Sequence, residues 1–359
     1  MQPAEIARRR LTSQQAARPD LSAPGELVGW LGAVQAQDFL GSLWALGLRL
    51  PGASEALVEQ AIAERQIVRT WPMRGTIHFV APADARWMLG LLTPRVLQGS
   101  QGRLRQLGLD APTIAKAGEV LARALAGGQQ LTRPALYAEL AAAGIAAEGS
   151  RGLHILGQLA HQQLICFGPR AGKQPTFVLM DEWLPPTPAL PRDQALAALA
   201  LRYFTSHGPA TLQDFTWWAG LTLTDARAGL AGASGDLAEA EAGGQRYFFA
   251  HEPRAEPAEP DTAFLLPPFD EFLVAYRDRS AALDPRFTNA VTPGSNGIFH
   301  PIVVLDGRVL GTWRRTIKRD SVQLTFSPFE SFSAAQLRAM AATAERYAQF
   351  LGLRLLLAP

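Results

Sequence analysis

The chain has 359 residues, of which 48% are hydrophobic and 18% charged, and its formal net charge is +2. This length allows roughly two or three domains, and no apolar run reaches the ~20 residues that a transmembrane helix needs. The first residues lack the basic and apolar regions of an export signal. A single cysteine, Cys166, excludes an internal disulfide bond and a cysteine metal cluster. The composition favours a helix-rich, cytoplasmic protein.

Basic charge is carried almost wholly by arginine, since Lys116, Lys173 and Lys318 are the only lysines. Arginine makes bidentate contacts with phosphate and with guanine. A GC-rich genome also favours arginine codons, so the overall charge does not establish nucleic acid as the partner.

The first 82 residues show three predicted helices followed by a hairpin. The helices cover residues 4–18, 24–35 and 54–66, and two β-rich arms over 67–80 meet at Arg74 and Gly75. In the second arm Thr76 and His78 share one face. This order is the plan of a winged helix, and we predict a first module over residues 1–82.

A pair of glutamines follows the second of these helices. Apolar residues recur at helical spacing from Leu27 to Val34, and Asp38 would continue the stripe. An unpaired carboxylate is rare in a core, so the helix should end near Gln35, and Gly41 is consistent with that end. Residues i and i+2 share a face only in an extended segment. Gln35 and Gln37 can therefore act together only on an irregular segment that leaves the helix.

The plan recurs over residues 83–184, the predicted second module. The predicted elements are helices over 84–92, 113–126, 133–143 and 151–163, then hairpin arms near 164–167 and 176–180. The last helix carries a polar stripe with Leu153, Leu156 and Ala160 opposite; the stripe consists of Arg151, His154, Gln158, His161 and Gln162. Arg170 and Lys173 lie in the hairpin loop. A polar face beside a basic wing suits contact with a DNA groove and phosphates, although an ordinary solvated face gives the same pattern.

A proline-rich linker over residues 184–191 precedes a third predicted module, 191–260, with helices over 192–206 and from Thr211 and Thr224. Residues 261–359 read as strands and one helix, which predicts a small β-barrel or open sheet with a hairpin at Asp306 and Gly307. In the loop at 283–289, Arg286 either contacts DNA or pairs with Asp284. The predicted fold class is α+β, with three tandem winged helices and a C-terminal barrel.

Motifs for zinc, nucleotide or serine-hydrolase chemistry are absent from the sequence, and the six histidines are scattered. We expect no metal and no cofactor. A glutamine pair alone is a weak motif, but it stands in a series of short motifs that runs through nearly the whole chain. The series comprises Gln35-Ala36-Gln37, Arg74-Gly75-Thr76-Ile77-His78, Gly168-Pro169-Arg170, Thr176-Phe177-Val178-Leu179, Trp183, His207-Gly208-Pro209-Ala210-Thr211, Phe269-Asp270-Glu271, Tyr276-Arg277-Asp278-Arg279, Asn296-Gly297, Asp306-Gly307 and Gly311-Thr312-Trp313.

With these motifs the chain resembles the AlkZ-like family of bacterial DNA glycosylases, which are also described as winged-helix DNA-binding proteins. The resemblance implies a concave DNA-binding body and hydrolysis of the N-glycosidic bond of alkylated bases, crosslinked ones included. The family's glutamine–apolar–glutamine motif maps onto Gln35 and Gln37 as catalytic residues. A sister branch has aspartate in the second place. Asp38 is an added candidate that the motif does not cover.

The expected chemistry suits these side chains. Alkylation at N7 makes guanine a cationic leaving group, and a glutamine amide can orient water although it is a poor general base. We therefore expect a monofunctional enzyme, a monomer, that acts on alkylated double-stranded DNA in the cytoplasm, at the bacterial nucleoid, without membrane or nucleotide cofactor. The expected DNA contacts are Arg74, Thr76, His78, Arg151, His154, Arg170, Lys173 and Arg286.

Three other readings stay open. In one of them, the glutamines serve only to cap the end of a helix. The chain as a whole also fits a DNA-binding regulator or lesion binder without turnover, and a protein-interaction scaffold.

Overall fold

The computed structural model describes residues 1–251, 262–294 and 297–357. The chain forms two compact units, Met1–Val58 with Leu196–Pro359 and Glu59–Ala195. The second unit is thus an insertion in the first. Asn296, from the motif series, lies outside the described residues. The division into four modules stays a prediction, and its boundaries differ from those of the two units.

The helices of the described residues follow in chain order. They are α1 (Pro3–Ser13), α2 (Pro24–Leu31), α3 (Phe39–Gly47), α4 (Glu55–Ala63), α5 (Pro82–Gln106), α6 (Ala111–Leu125), α7 (Arg133–Ala142), α8 (Ser150–His161), α9 (Met180–Trp183), α10 (Arg192–His207), α11 (Leu212–Ala219), α12 (Leu223–Ala233), α13 (Glu271–Val274), α14 (Thr288–Val291) and α15 (Ala334–Leu351).

The strands alternate with these helices. They are β1 (Ala33–Gln35), β2 (Val68–Met73), β3 (Thr76–Val80), β4 (Leu131–Thr132), β5 (Ile165–Ala171), β6 (Gln174–Leu179), β7 (Leu237–Ala242), β8 (Gln245–Ala250), β9 (Ala263–Leu266), β10 (Ile302–Leu305), β11 (Arg308–Ile317), β12 (Ser321–Pro328) and β13 (Arg354–Leu357). The α+β class is thereby confirmed.

The helix predicted over 24–35 ends earlier, at Leu31. Gly32 follows with φ of +77°, a left-handed conformation that stops the helix and starts the extended strand β1. The prediction extended the helix because the apolar residues continue through Val34. Over three or four residues, however, the apolar pattern of a buried strand cannot be distinguished from that of one more helical turn.

Helix α3 was not predicted, because Gly41 suggested a helix end. Gly41 instead lies inside α3, where a Cβ atom would come within 3.2 Å of Pro268 and of the Asp38 side chain. At Gly47 a Cβ would lie 2.2 Å from the ring of Phe350. Gly41 thus allows close packing of the first turn of α3 against Pro268, and Gly47, the last residue of the helix, allows the close approach of Phe350.

The C-terminal part of the first unit is a five-stranded sheet in the order β13-β12-β11-β10-β9, which curls as a half-barrel. The hairpin predicted at Asp306 and Gly307 is confirmed, and both residues have the positive φ of a tight turn. Helix α15 packs on β9, and its Tyr347 meets the buried rings of Trp44 and Trp313 at 4.9 and 5.3 Å between centroids. The sequence predicts a small β-barrel or open sheet for residues 261–359, and the observed five-stranded sheet agrees with this prediction.

The strands of the second unit pair in the order β3-β2-β5-β6-β4. The rings of Trp71, Phe167 and Phe177 lie in a row on this sheet, above a core built by α6, α7 and α8. Helix α5 runs to Gln106, well past the end of the helix predicted over 84–92, and it contains Pro94, a residue that often ends a helix. Pro94 lies on the exposed side of the helix, which continues past it.

Within the described residues, none of the helices combines the length and the apolar character needed to cross a membrane.

Candidate active site

Gln35 and Gln37 lie on a short non-helical segment between α2 and α3, as the sequence predicts; residues 35–37 are called the glutamine segment below. Gln35 ends the strand β1, and Gln37 lies at the bend that follows it. The Gln35 side chain is 7% exposed, whereas Gln37 is exposed. The turn at Gly32 aims this segment: a Cβ there would meet the Arg202 side chain at 3.0 Å and Trp218 at 3.6 Å. Each amide carries donors and an acceptor, so the segment can orient a water molecule or a polar group of a ligand.

A buried glutamate holds the main chain of this segment. Glu271 is 1% exposed, and its Oε1 accepts the main-chain N–H of Gln35 at 2.9 Å. Its Oε2 accepts the indole N–H of Trp218 at 3.0 Å and lies 3.5 Å from Nε2 of His207. The carboxylate thus meets polar partners on both oxygens, which a buried charge requires.

His207 is oriented by its other ring nitrogen. Ser206 Oγ donates to the Arg202 carbonyl at 2.7 Å, so its oxygen is left to accept from Nδ1–H of His207 at 2.8 Å. The imidazole stacks on the ring of Tyr203 at 5.0 Å between centroids. The histidine therefore presents Nε2 to Glu271 in a fixed orientation.

The residue before Glu271 forms a second buried interaction. Both carboxylate oxygens of Asp270 accept from the Arg49 guanidinium at 2.8 Å, and each side chain is 1% exposed. Arg49 also donates to the carbonyls of Gln14 and Ala45 at 2.8 Å. The side-chain amide of Gln14 donates at 2.8 Å to the hydroxyl of Tyr276. The bidentate Arg49–Asp270 ion pair therefore anchors the start of α13, the helix that begins with Glu271.

Asp38, the added candidate, caps α3. Its Oδ1 accepts the main-chain N–H of Gly41 at 2.8 Å and lies 3.5 Å from an Arg315 guanidinium nitrogen. The glutamine segment is therefore anchored on both sides, by Glu271 at Gln35 and by Asp38 after Gln37.

The structure places Arg74, Thr76 and His78 in the β2–β3 hairpin of the second unit, and the predicted turn at Arg74 and Gly75 is confirmed. His78 is fully buried. Its Nδ1 lies 3.0 Å from the Thr76 carbonyl, which only accepts, so Nδ1 carries the proton and Nε2 accepts from Arg74 at 3.3 Å. Burial, and then the charge of Arg74, lower the pKa of His78 well below its usual value. A neutral His78 thus orients the Arg74 guanidinium, with no exposed surface of its own.

The polar stripe of α8 packs in part against α5. Gln158 is buried and donates to Ser100 of α5 at 3.2 Å. Arg151 donates to the Ala146 carbonyl at 2.8 Å and also to the Leu107 carbonyl. Leu153, expected on the buried side, is 50% exposed. The helical spacing shows which residues share a face of α8 but not which face meets the neighbouring helix. The expectation was therefore wrong for Leu153, which is exposed, and for Gln158, which is buried.

His154 is half-buried on the same helix. Burial and then the Arg103 charge lower its pKa. His161 is buried, and neither of its ring nitrogens forms a hydrogen bond with the described residues. DNA contact by His154 stays a prediction.

The hairpin of β5 and β6 carries two predicted cations. Arg170 forms an ion pair with Glu59, whereas Lys173 is exposed in the turn. Arg286, in the first unit, donates to Asp284 Oδ2 at 2.8 and 3.0 Å and lies 3.7 Å from Glu330. The pairing of Arg286 with Asp284, one of the two expected alternatives, is confirmed, and its contact with DNA stays a prediction.

Sequence reasoning assigned no role to Glu271, Asp270, His207 or Arg49. Three of them stood in the motif series, so a signal was present. Their partners lie far away in the chain, however: Gln35 and Glu271 are 236 positions apart, and Arg49 and Asp270 are 221 apart. Only the fold shows that these residues meet.

The described residues contain no group of three or more histidine, cysteine, aspartate or glutamate side chains that could hold a metal ion. Burial raises the pKa of the Cys166 thiol to about 12, which disfavours the reactive thiolate. The three lysines are exposed.

Comparisons with known proteins agree on one family. The family model described as DNA glycosylase AlkZ-like matches residues 28–350. An interstrand DNA cross-link repair glycosylase of Streptomyces sahachiroi is 28% identical over 345 residues, covering 91% of this chain and 90% of that protein. The solved structure of the Streptomyces sahachiroi DNA glycosylase AlkZ matches with a TM-score of 0.76 and 24% identity, over 100% of both chains. That structure shares the fold.

Proposed function

The chain belongs to the AlkZ-like DNA glycosylase family, and we propose that it hydrolyses the N-glycosidic bond of cationic alkylated purines in double-stranded DNA. N7-alkylguanine is the first candidate substrate. The relative named for interstrand cross-link repair supports crosslinked purines as a further substrate class.

The observation that carries this proposal is the geometry of the glutamine segment. Gln35, at the end of β1, and Gln37, at the bend that follows, lie between two anchors, the Glu271 hydrogen bond to Gln35 and the Asp38 cap of α3. Held in this way, two amides can orient an attacking water and stabilise partial charge as the sugar becomes cationic. Preorganised polar groups of this kind lower a barrier without needing to move during the reaction.

The reaction needs little acid–base help if the base is already cationic. Water forms a bond to the sugar C1′ as the bond from C1′ to the purine nitrogen breaks. The electron pair of the breaking bond neutralises the alkylated ring, and the proton of the attacking water passes to solvent. No proton has to be given to the leaving base, so the weak basicity of glutamine is sufficient.

We further propose that the chain contains three winged-helix modules. The order α6-β4-α7-α8-β5-β6 supports one module, and α10-α11-α12-β7-β8 with the bridge between Ala210 and Phe248 supports another. The order α2-β1-α3-α4-β2-β3 supports the first. Each has helices followed by a hairpin, as winged helices do.

A base-release assay tests the function. Duplexes containing N7-methylguanine, or a purine crosslink, are incubated with the parent chain, Gln35→Ala and Gln37→Ala. We expect the parent to release the base and each variant to be slower by about 10²–10⁴-fold, the usual value of a positioned water-orienting or proton-transferring group. DNA affinity and thermal stability should stay close to those of the parent.

Gln349→Ala is the matched control, because Gln349 is an exposed glutamine of α15 in the same unit. It should release base at the parental rate. Tight, salt-dependent binding of the duplex without any base release would favour the regulator or lesion binder instead. An absence of DNA affinity would favour the interaction scaffold.

A further inference from the structure

We propose that Glu271 is a positioning residue for this chemistry: it fixes the main chain of Gln35, and thereby aims the two glutamine side chains, without touching the substrate. The inference rests on the proposed glycosylase function and adds to it a third residue, outside the glutamine motif.

The first argument is the burial of the Glu271 carboxylate. A buried carboxylate is costly unless its oxygens are hydrogen-bonded. Glu271 is 1% exposed, and each oxygen accepts one strong N–H donor, from Gln35 at 2.9 Å and from Trp218 at 3.0 Å. Neither donor is a cation. A glutamine or an apolar residue would be cheaper to bury, so the carboxylate is suited to holding two N–H groups at fixed points.

The second argument is where the hydrogen bond falls. Glu271 takes the main-chain N–H of Gln35 and leaves the side-chain amide to its own contacts. Gln37 follows two residues later, at a bend after the end of β1, and Asp38 then holds the first turn of α3 through Gly41. Only the stretch from Gln35 to Asp38 lies between the two anchors. A shift of the first anchor therefore moves both glutamines.

The third argument is that Glu271 itself has a rigid support. Asp270 caps α13 by accepting from the Phe272 N–H at 3.0 Å, and it forms the buried bidentate pair with Arg49. Phe269 adopts φ of +61°, which is rare for an aromatic residue and persists only where the surroundings enforce it. This turn aims Asp270 and Glu271 inward from the end of β9.

Glu271→Gln is the informative substitution, because it keeps the volume and removes one acceptor. The amide oxygen can accept from Gln35 or from Trp218, and its NH₂ group then faces the other N–H, donor against donor. When the oxygen stays on Gln35, the NH₂ group also lies beside Nε2 of His207, which can accept from it, but the indole N–H of Trp218 still loses its acceptor. Either the Gln35 anchor is lost, or it survives with a displaced Trp218, whose ring lies against the Gly32 turn. Both arrangements shift the glutamine segment.

The experiment measures single-turnover release of N7-methylguanine from duplex DNA by the full chain. We expect Glu271→Gln to release base about 10²-fold more slowly, the scale of a misplacement of about 1 Å at a reacting centre, with the DNA dissociation constant unchanged. Asp214→Asn is the matched control. Asp214 is also 1% exposed; it accepts from the main-chain N–H groups of Thr211 and Arg277 and pairs with Arg10, and none of these partners belongs to the glutamine segment. It should lose thermal stability and keep the parental rate.

A double-mutant cycle separates positioning from general loosening of the fold. If Glu271 acts through the two glutamines, then Glu271→Gln should cost little further rate in a background that carries both Gln35→Ala and Gln37→Ala, because neither side chain is left to aim. Fully additive rate losses would overturn the inference, and so would a rate loss in Asp214→Asn equal to that in Glu271→Gln. Failure of the parent chain to release any base would instead overturn the proposed function.

Discussion

Asp38 follows Gln37 directly in the chain, and the structure gives its carboxylate a clear local task. One oxygen accepts the Gly41 N–H at the start of α3, and Arg315 lies 3.5 Å away. Such a cap satisfies a main-chain N–H that the helix itself leaves unpaired. The same carboxylate also follows the glutamines directly in the chain, so capping and catalysis have to be separated by experiment.

Asparagine caps helices as well as aspartate does, whereas alanine does not. We expect Asp38→Ala to destabilise the protein by about 1 kcal/mol, and Asp38→Asn to be nearly as stable as the parent. Base release by Asp38→Asn should stay close to the parental rate, because the proposed mechanism gives the carboxylate no proton to take. A large rate loss in a stable Asp38→Asn protein would make Asp38 a catalytic base. Thermal melting and single-turnover base release on the two variants decide between these outcomes.

His161 is a second residue whose environment has a measurable consequence. Burial lowers its pKa to about 4, and neither ring nitrogen forms a hydrogen bond with the described residues. In the unfolded chain the residue titrates near its ordinary pKa of about 6.5. Between these two values the unfolded state binds a proton that the folded state does not. Stability contributed by neutral His161 is therefore lost as the pH falls from about 6.5 towards 4.

We expect His161→Leu to remove this part of the acid sensitivity. Relative to the variant, the parent should lose up to about 2 kcal/mol of unfolding free energy between pH 7 and pH 5. Urea unfolding at both pH values measures it. His251→Gln, which alters an exposed histidine, should leave the pH dependence unchanged. Buried His78 and half-buried His154 also have lowered pKa values, so the slope should decrease without vanishing. An identical slope in His161→Leu and parent would contradict the assignment.

At the scale of elements, the sequence was sufficient where local signals agree. The hairpins at Arg74-Gly75 and Asp306-Gly307 were predicted because each pair of residues stands between two β-rich arms. In the structure all four residues have the positive φ of a tight turn. Helix α3 and the second half of α5 were missed, and each contains a glycine or a proline, residues that often end a helix. In α3 the glycines serve close packing, at Pro268 and Phe350. That reason lies in distant parts of the chain, and local sequence cannot show it.

We expect opposite effects on DNA binding from two cations of the predicted second module, one in the turn of the wing and one in its last helix. Lys173 is exposed at the β5–β6 turn, whereas Arg151 donates to main-chain carbonyls. We expect Lys173→Ala to keep its thermal stability and to reduce the slope of log affinity against log salt by about 0.9, the value for one lost phosphate contact. Arg151→Ala should lower the melting temperature and leave the slope nearly unchanged. Fluorescence anisotropy with duplex DNA at several salt concentrations gives both slopes. A reduced slope in Arg151→Ala would show that this guanidinium leaves its carbonyl partners for DNA.

At the scale of the molecule, the candidate site depends on chain segments from both ends of the first unit. Gln35 and Arg49 come from the first 58 residues, and Glu271 and Asp270 come from the part after residue 196. The glutamine motif could be found in the sequence because it is local. Asp270 and Glu271, which support the motif from below the surface, could not be found in this way. An aspartate and a glutamate after a strand and a turn are typical of the protein surface, and only their distant partners show that they are buried.

The whole set of lysines limits what the proposed enzyme can do after base release. Glycosylases that also cut the strand use an amine to form a Schiff base with the sugar, usually a lysine whose pKa is lowered by burial. Lys116, Lys173 and Lys318 are all exposed, and Lys116 donates to the Ala143 carbonyl at 2.9 Å. The glutamines also offer no strong acid or base with which to expel a neutral base. We therefore predict an intact abasic strand as the product and no release of uracil.

Two measurements check this prediction on the same preparation. Borohydride added during turnover of N7-methylguanine DNA should trap no protein–DNA adduct, because reduction captures only a Schiff base. A uracil duplex should release no base under conditions in which the N7-methylguanine duplex is fully converted, since uracil leaves as an anion unless it is protonated, whereas the alkylated purine leaves neutral. Strand cleavage with a trapped adduct would require an amine nucleophile, which the proposed mechanism does not include. Release of uracil at a comparable rate would show that the site supplies acid catalysis that two amides cannot provide.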